Sequence, residues 1–394
     1  MLQSIYYLLI GKSELFNFIG LDFIDVSFSV LSFLLLPFIF FKLRNKVKFI
    51  FSKVSFISVM IIILSLFYLF APLVTDSNPY FQKNLAVTKL KSPLTNMKFV
   101  RTLKVLESKN SFSSFIDAAN RTVKKSFDNE IQFFDDIRTN SDVTLIQNRN
   151  KVKHKLAALK CEEGKPVIYS QFFLLGTDEY GRDVFARLVY GTRISLTIGL
   201  IAVALAFVLG IVLGFIAALK GGIVDIILSR ITDAFLTIPS IFFVILILAL
   251  FGSSLLSVVL VLGFSGWMSL FKVTKGEVLS IKNKDYFVSA KMLGLSNYNL
   301  LLKEIIPVMI SPIVANIVIQ FGNVVLAEAA LSYLGLSVSI DYPSWGAMLQ
   351  SGQSYVSRAW WLIFFPGIIL ITTLFAINRL GRIFQNYFNP RISL

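Results

Sequence analysis

Residues 194–219 read ISLTIGLIAVALAFVLGIVLGFIAAL, a stretch of 26 residues without a charged side chain. At about 1.5 Å per residue such a helix is roughly 39 Å long, which exceeds the ~30 Å hydrocarbon core of a bilayer. Ala202, Ala206, Gly210 and Gly214 recur at every fourth position. Small residues on one face allow two membrane helices to approach closely. Because Gly and Ala are common in such helices, this spacing can also arise by chance. The stretch therefore predicts a membrane-spanning helix, and the stripe favours close packing against a second helix.

The composition of the whole chain agrees with a membrane protein. Of 394 residues, 55% are hydrophobic and 15% are charged, with a mean hydropathy of +0.72, whereas about a quarter of the residues in soluble domains are charged. The net charge of +15 comes from Lys and Arg that flank apolar runs, as the positive-inside rule requires, so nucleic-acid binding is not expected. The single Cys161 and the single His154 are too few for an internal disulfide or a common zinc site.

Further apolar runs predict the rest of a helical bundle. The sequence favours spans at 54–74, 226–250 with a kink at Pro239, 255–273, 305–336 and 360–377. Basic residues mark the cytoplasmic side at 42–53, at 272–303 with six lysines against Glu277 and Asp285, and at Arg379, Arg382 and Arg391. We therefore expect an all-α integral membrane fold with six core transmembrane helices and both ends of the core inside.

The N-terminal segment 1–53 combines hydrophobic residues with a basic cytoplasmic loop. Val26–Phe41 is apolar, but 16 residues form only about 24 Å of helix, which is short for a span. It either crosses the membrane by including residues 19–25 or lies in the interface, and we favour a span. Residues 54–74 then form the first core helix.

Residues 75–170 differ from the rest of the chain. They contain 17 Lys or Arg and 10 Asp or Glu, without an apolar run of spanning length. Apolar residues recur here at steps of three and four, which predicts an amphipathic helix. They are Phe112, Phe115, Ala119, Val123, Phe127, Ile131 and Phe134. Asp142 is a candidate N-cap for a second helix that ends near Lys160. Since long loops cross membranes largely regardless of charge, we place 75–190 outside the cell as an insertion.

The lysine-rich loop at 276–307 has the punctuation of two short helices. Asp285 is a candidate N-cap and Gly294 a candidate C-terminal stop, Ser296 can cap a second helix, and Pro307 ends or kinks it at the membrane. The predicted projection can dock into a groove of a soluble partner, with Ala290 at the contact and Gly294 at the turn. The predicted coupling residues are Asp285, Tyr286, Ala290, Gly294, Leu295, Ser296 and Pro307.

This spacing resembles the ATPase-coupling loop of binding-protein-dependent ABC importers, in which an Ala is followed by a Gly and then a Pro. Val288-Ser289-Ala290 stands where the family has Glu-Ala-Ala, so only the last residue is retained. Three more stretches resemble oligopeptide and dipeptide permeases of the C-type subunit family: Leu175–Ser195, Ala327–Leu336, and Pro343-Ser344-Trp345-Gly346 with the final Asn389-Pro390-Arg391. The resemblance covers about 170–394 and implies a permease domain at 191–394 with five transmembrane helices.

Two further sets of residues are candidates for function. Thr177–Arg193 mixes charges with aliphatic residues, as in an amphipathic helix on the outer membrane face. Its charged residues either dock an external protein or belong to a simple connecting helix; they are Asp178, Arg182, Asp183 and Arg187. A polar stripe at steps of three and four either lines the translocation path or forms a hydrogen-bonded seam between helices. It comprises Asn316, Gln320 and Asn323, with Glu328 beyond it as either path lining or a local structural group.

The resemblance implies a multi-pass subunit of the bacterial cytoplasmic (inner) membrane that transports short peptides. It also implies a second homologous permease subunit, two cytoplasmic ATPases, an extracytoplasmic substrate-binding protein and surrounding lipid. ATP and Mg²⁺ would then be bound by the partner subunits, with no catalytic site and no cofactor in this chain. Two alternatives stay open: the same architecture carrying nickel chelates or another small solute, and a membrane-anchored structural or signalling protein that works through 75–170.

Overall fold

The computed structural model describes most of the chain beyond residue 55. The described residues are 56–102 apart from 76, 78 and 81; 131–162 apart from 140, 141 and 149; 164–295 apart from 253; 300; 304–336; and 342–388. The predicted helix at Val26–Phe41, most of the amphipathic helix predicted from Phe112, Ser296, and the final Asn389-Pro390-Arg391 lie outside these residues.

The described chain divides into two compact units. The first comprises the described residues within 65–193 and 340–368, and the second those within 56–64, 194–339 and 369–388. The first unit contains the predicted insertion and the second contains the predicted coupling loop.

The described part of the first unit contains three small antiparallel sheets. In the first sheet the central strand β1 lies between β2 and β8, in the second β4 lies between β3 and β5, and β6 pairs with β7. The strands are β1 Thr95–Arg101, β2 Ile131–Phe134, β3 Asp136–Thr139, β4 Val143–Gln147, β5 Asn150–His154, β6 Cys161–Glu162, β7 Lys165–Pro166 and β8 Tyr169–Phe173. The helices α1 (Phe56–Val74, which begins within the second unit) and α2 (Leu85–Thr88) precede them.

The helix predicted between Asp142 and Lys160 is wrong. Residues 143–147 and 150–154 are two strands of a hairpin, with Val143 paired to His154 and Gln147 to Asn150. Burial alternates along β4, where Val143, Leu145 and Gln147 are buried, and a period of two is that of a strand. Ile131 and Phe134, assigned to the end of the first predicted helix, lie in β2.

Within the described ranges, four helices are long and apolar enough to cross a membrane: α3 Val184–Lys220, α6 Leu255–Lys282, α8 Ile306–Tyr333 and α10, which runs from Trp361 to Phe388. A bent helix pair raises this number to five if the pair is one span, and the shorter apolar helix α1 corresponds to the first of the six helices expected from the sequence. The shorter apolar α1 has a kink at Phe70, two residues before Pro72. Additional short helices are α7 Asp285–Met292 and α9 Trp345–Gln353.

The predicted span at 226–250 is a bent pair of helices. Its halves are α4 (Gly222–Thr237) and α5 (Ser240–Phe251), which meet at an angle of 87°. Ile238 and Pro239 form the break, since proline lacks the amide that would continue the helix. Polar contacts attach α4 to α6: Lys272 Nζ lies 2.9 Å from Asp233 Oδ1, and Lys275 pairs with Asp225. Neither half is long enough to cross a membrane alone, but the two halves together are.

The small-residue stripe of α3 packs against α6, as the sequence predicts. A Cβ at Gly210 would lie 2.8 Å from the carbonyl oxygen of Trp267, and one at Gly214 would lie 2.7 Å from Thr274 Cβ. Ala202 and Ala206 on the same stripe are fully buried. Glycine and alanine therefore bring the two helices into backbone contact.

Candidate functional site

The predicted coupling loop contains the short helix α7, which ends at a left-handed glycine. Gly294 has φ +79°, its N–H donates to the carbonyl of Lys291 at 3.1 Å, and the N–H of Leu295 donates to the carbonyl of Ala290 at 3.3 Å. These two hydrogen bonds form a Schellman motif, which satisfies carbonyls at the helix end. The stop predicted at Gly294 is confirmed.

The beginning of α7 differs from the prediction by one residue. Lys284 is the N-cap and makes no side-chain capping bond, while Asp285 lies in the first turn. A carboxylate in the first turn still interacts favourably with the positive end of the helix dipole. Pro307 lies in the first turn of α8, where its missing N–H costs no helical hydrogen bond.

One face of α7 is buried within the second unit. Phe287 and Ala290 join a cluster that holds α7 against the ends of α3, α6 and α8, and Leu295 packs against it. The other buried members of this cluster are Ala218, Val278, Ile281, Leu300, Ile305 and Met309. Ala290 was predicted as the contact for a soluble partner, but the structure turns it towards the chain's own core.

The exposed face of α7 contains the apolar residues that a partner can contact. Met292 and Leu293 are 83% and 81% exposed, and Tyr286 is 45% exposed. Two large apolar side chains at the tip of a polar loop are typical of a protein interface. Sequence analysis named Tyr286 but not Met292 or Leu293. The helical period could have identified Met292, because it lies two residues, about 200°, from the buried Ala290. Leu293 is the C-cap and lies beyond the helix, so the period does not assign it to a face.

The predicted polar stripe follows the contact between α8 and α6. The amide of Asn316 donates to Ser269 Oγ at 3.2 Å, and Gln320 is buried against Gly266, where a Cβ would overlap its amide nitrogen. Asn323 is exposed. Two residues of the stripe therefore lie in a seam between helices, and lining of a path by the stripe stays a prediction.

Glu328 is fully buried in α8. Its Oε1 accepts a hydrogen bond of 2.7 Å from Ser332 Oγ, one turn further along the same helix. This contact supports the local structural role that was one of the two interpretations of the sequence.

The charged residues before α3 form a compact buried turn. Asp178 is at its centre: Oδ1 accepts the N–H groups of Tyr180 at 2.9 Å and Arg182 at 2.8 Å. Oδ2 accepts from Arg182 Nε at 2.7 Å and lies 3.6 Å from Arg187 Nε. The turn reverses at Gly181, whose φ of +67° suits glycine and where a Cβ would overlap Thr88.

Asp183 begins α3. Its Oδ1 accepts the N–H of Phe185 at 2.9 Å, which is the role of an N-cap. Burial raises the pKa of the Asp183 carboxyl despite the opposing effect of Lys83. Burial also raises the pKa of Glu179, and the neighbouring charge of Asp178 adds to this.

The amphipathic helix predicted at Thr177–Arg193 is corrected by these contacts. Residues before Val184 form the turn, and those after it are the first residues of α3. Asp178, Arg182, Asp183 and Arg187 are 1–5% exposed, which speaks against direct contact with a docking partner. Docking at this face stays a prediction, but these four side chains stabilise the turn.

Two of the sequence stretches that resemble permeases meet in the first unit. The indole N–H of Trp345 donates to the carbonyl of Leu188 at 3.3 Å, and a Cβ at Gly191 would overlap the carbonyl of Pro343. Trp361 also donates to the carbonyl of Thr177 at 3.1 Å. The buried backbone carbonyls of Leu188 and Thr177 therefore accept hydrogen bonds from tryptophans near the end of the sequence.

Among the described residues, no three His, Cys, Asp or Glu side chains are grouped as a metal site requires. The arrangement observed is a bundle of apolar helices with a short helix at 285–292 that packs against the bundle on one face.

Comparison with known proteins gives consistent matches. Residues 210–394 match the family described as binding-protein-dependent transport system inner membrane component. The dipeptide transport system permease protein of Bacillus subtilis is 35% identical over 218 residues, which cover 55% of this chain and 68% of the relative. The di/tripeptide permease of Pseudomonas aeruginosa is 32% identical, with 56% of this chain and 73% of the relative covered.

A third relative, the oligopeptide transport system permease protein of Bacillus subtilis, is 33% identical, covering 55% of this chain and 71% of the relative. A solved structure of the MetNI methionine ABC transporter is similar at 16% identity and a TM-score of 0.44, covering 52% of this chain and 96% of that one. From the sequence relatives and the apolar helices we conclude that the chain is a multi-pass inner membrane protein, and that it belongs to the family of binding-protein-dependent transport system inner membrane components.

Proposed function

We propose that this chain is a permease subunit of an ATP-driven importer for short peptides. It pairs with a second, homologous permease subunit, and two cytoplasmic ATPases bind the coupling helices. An extracytoplasmic binding protein delivers the cargo. The ATP and Mg²⁺ belong to the ATPase subunits, and this chain contributes the path and the mechanical connection.

The observation that carries this proposal is the two-sided character of α7. Its exposed end presents Met292 and Leu293, and its buried face is joined through Phe287 and Ala290 to three membrane helices. Packed cores transmit displacements because they are dense and hardly compressible. A partner that moves α7 therefore moves the ends of α3, α6 and α8 as one body, which is the motion that alternating access requires.

The cargo is proposed from the relatives. Those compared above are named as permeases for dipeptides, di/tripeptides and oligopeptides. We propose that the binding protein selects among such cargoes and that the membrane path is weakly selective.

The proposal is tested by changing the exposed end of α7 without disturbing its buried face. In the complex co-expressed with its ATPases, Leu293→Glu should abolish ATPase co-purification and ATP-dependent dipeptide uptake into proteoliposomes. Leu279→Glu is the matched control, because Leu279 is also exposed but lies on α6. If Leu293→Glu leaves both measurements unchanged, the coupling role is wrong. If coupling is lost as expected but nickel chelates and not peptides compete for uptake, only the cargo assignment fails.

A further inference from the structure

A cleft of about 180 Å³ lies between α8 and α10 in the second unit. The two helices approach closely beside it: a Cβ at Gly381 would lie 2.8 Å from Val318 Cγ1, and one at Gly322 would lie 3.7 Å from Ile377 Cγ2. Later residues of α10 therefore face earlier residues of α8, so the helices are antiparallel. The cleft opens to the outside of this chain and has two chemically different walls.

One wall is polar and belongs to α10. Asn378, Arg382 and Gln385 line the cleft and follow one another at steps of four and three, so they share one helix face. All three are exposed. Within the described residues no ion pair joins Arg382. This wall therefore offers one cation with an amide side chain about one turn to either side.

The other wall is apolar and belongs to α8, with Ala315, Val318 and Ile319. Ile319 is 56% exposed. On α10 the helix face that carries Arg382 continues with Phe375 and Ile371, which are 67% and 55% exposed. Seven residues separate Phe375 from Arg382, which is about 10 Å along the helix. The exposed surface therefore changes from apolar to cationic over the distance between a lipid's acyl chains and its phosphate.

The position of the cleft selects the leaflet. Arg379 and Arg382 follow the apolar part of α10, and the positive-inside rule assigns such arginines to the cytoplasmic face. Basic pockets between helices at this face are suited to anionic lipid headgroups. A second protein helix would be a poorer fit for a wall that changes from apolar to cationic at the membrane interface.

We propose that this cleft binds an anionic phospholipid of the cytoplasmic leaflet. Arg382 pairs with the phosphate, Asn378 and Gln385 donate hydrogen bonds to the headgroup and glycerol oxygens, and an acyl chain lies along Ile319 and Phe375. The single cation matches the single negative charge of phosphatidylglycerol. This inference depends on the membrane location of the chain and not on its cargo or its ATPase.

The test measures phosphatidylglycerol binding to the full-length protein in detergent micelles. Native mass spectrometry and thermal unfolding are recorded with added phosphatidylglycerol, with phosphatidylcholine and with inorganic phosphate. We expect phosphatidylglycerol alone to remain bound and to raise the unfolding temperature. Arg382→Gln should weaken this binding about fivefold, the effect of one basic residue near an anionic surface. Ile319→Ser should weaken it without a change in charge.

Arg379→Gln is the matched control, because Arg379 is an exposed arginine on the same helix that does not line the cleft. It should keep the binding of the unchanged protein. Equal losses in both arginine variants would mean unspecific attraction and would overturn the proposal. So would stabilisation by inorganic phosphate alone, or binding that Arg382→Gln does not weaken. If Arg382→Gln released the second permease subunit from the co-expressed complex, the cleft would be a subunit interface and the proposal would be wrong.

Discussion

Single residues in the turn before α3 show how charge is accommodated beside the membrane. Asp178 accepts two backbone N–H groups and two arginine contacts, so its charge is compensated within a few ångströms. Asp183 has a capping role instead, and burial raises its pKa. Two acids five residues apart therefore have different roles: Asp178 joins the parts of the turn, and Asp183 caps α3.

Asp183→Asn and Asp183→Ala separate the cap from the charge. Asparagine keeps the capping acceptor, so Asp183→Asn should be at least as stable as the unchanged protein at pH 7, whereas Asp183→Ala should lose about 0.5–2 kcal/mol. Because the folded pKa of Asp183 is raised above 3.8, the folded state holds the proton more tightly than the unfolded state. The stabilisation that this bound proton gives the folded state is therefore lost as the pH rises from 3.8 through the pKa of Asp183 in the folded state.

Thermal unfolding in detergent between pH 4 and pH 8 provides the measurement. Relative to Asp183→Asn, the unchanged protein should become less stable as the pH rises through that window. A difference that stays constant with pH, or that grows in favour of the unchanged protein, would contradict the assigned effect of burial.

Gly181→Ala should be more destabilising than Gly221→Ala. Both glycines have positive φ, +67° and +62°, so each variant loses about 1–2 kcal/mol from backbone strain. Only at Gly181 would the added Cβ overlap another residue, Thr88, while nothing lies within 4 Å at Gly221. Equal shifts in unfolding temperature would show that the turn can relax around Thr88.

At the scale of elements, α7 is a short helix held by its C-terminal cap and by one buried face. Eight residues are too few for an isolated helix to be stable in water, so the Schellman motif at Gly294 and the packing of Phe287 and Ala290 supply its stability. Its start and stop signals were visible in the sequence, but the direction of its faces was not. Which side chain points inwards depends on α3, α6 and α8, which come from distant parts of the sequence.

Gly294→Ala should loosen the last turn of α7 and reduce coupling. The left-handed φ of +79° is unfavourable for alanine by about 1–2 kcal/mol, although no atom lies within 4 Å to clash with it. Gly276→Ala is the control in the neighbouring α6, where space is also open and alanine should stabilise the helix by up to 1 kcal/mol. Hydrogen exchange of residues 285–295 should speed up only in Gly294→Ala; unchanged exchange there would contradict the role of the glycine.

At the scale of the molecule, the prediction concerns sidedness. The chain has one cysteine, Cys161, in the predicted outer insertion, and Met292 is 83% exposed in the predicted cytoplasmic helix. A membrane-impermeant maleimide should label Cys161 in spheroplasts. With Cys161→Ala and Met292→Cys combined, labelling should require inside-out vesicles. Labelling of Met292→Cys from outside would place α7 on the wrong side and remove its coupling role.

Periodicity predicted most of the membrane core but little of the first unit. The apolar runs predicted the positions of α1, α3, α6, α8 and α10 to within a few residues at the apolar end of each helix. A helix in lipid needs a long apolar run regardless of which helices pack beside it. The 87° bend at Pro239 was predicted only as a kink, since its angle is determined by packing and by the ion pairs with Lys272 and Lys275. The strands of the insertion were missed because β4 alternates over only five residues, and its partners are needed to recognise it.

The tryptophan contacts of the first unit have a consequence for biosynthesis. Thr177 and Leu188 receive the indole N–H groups of Trp361 and Trp345, which are 184 and 157 residues further along the chain. At a synthesis rate of about 5–20 residues per second, these carbonyls wait roughly 10–40 s for their donors. Throughout that interval these two contacts of the first unit are missing, so they form only after Trp361 at the start of the final helix has left the ribosome.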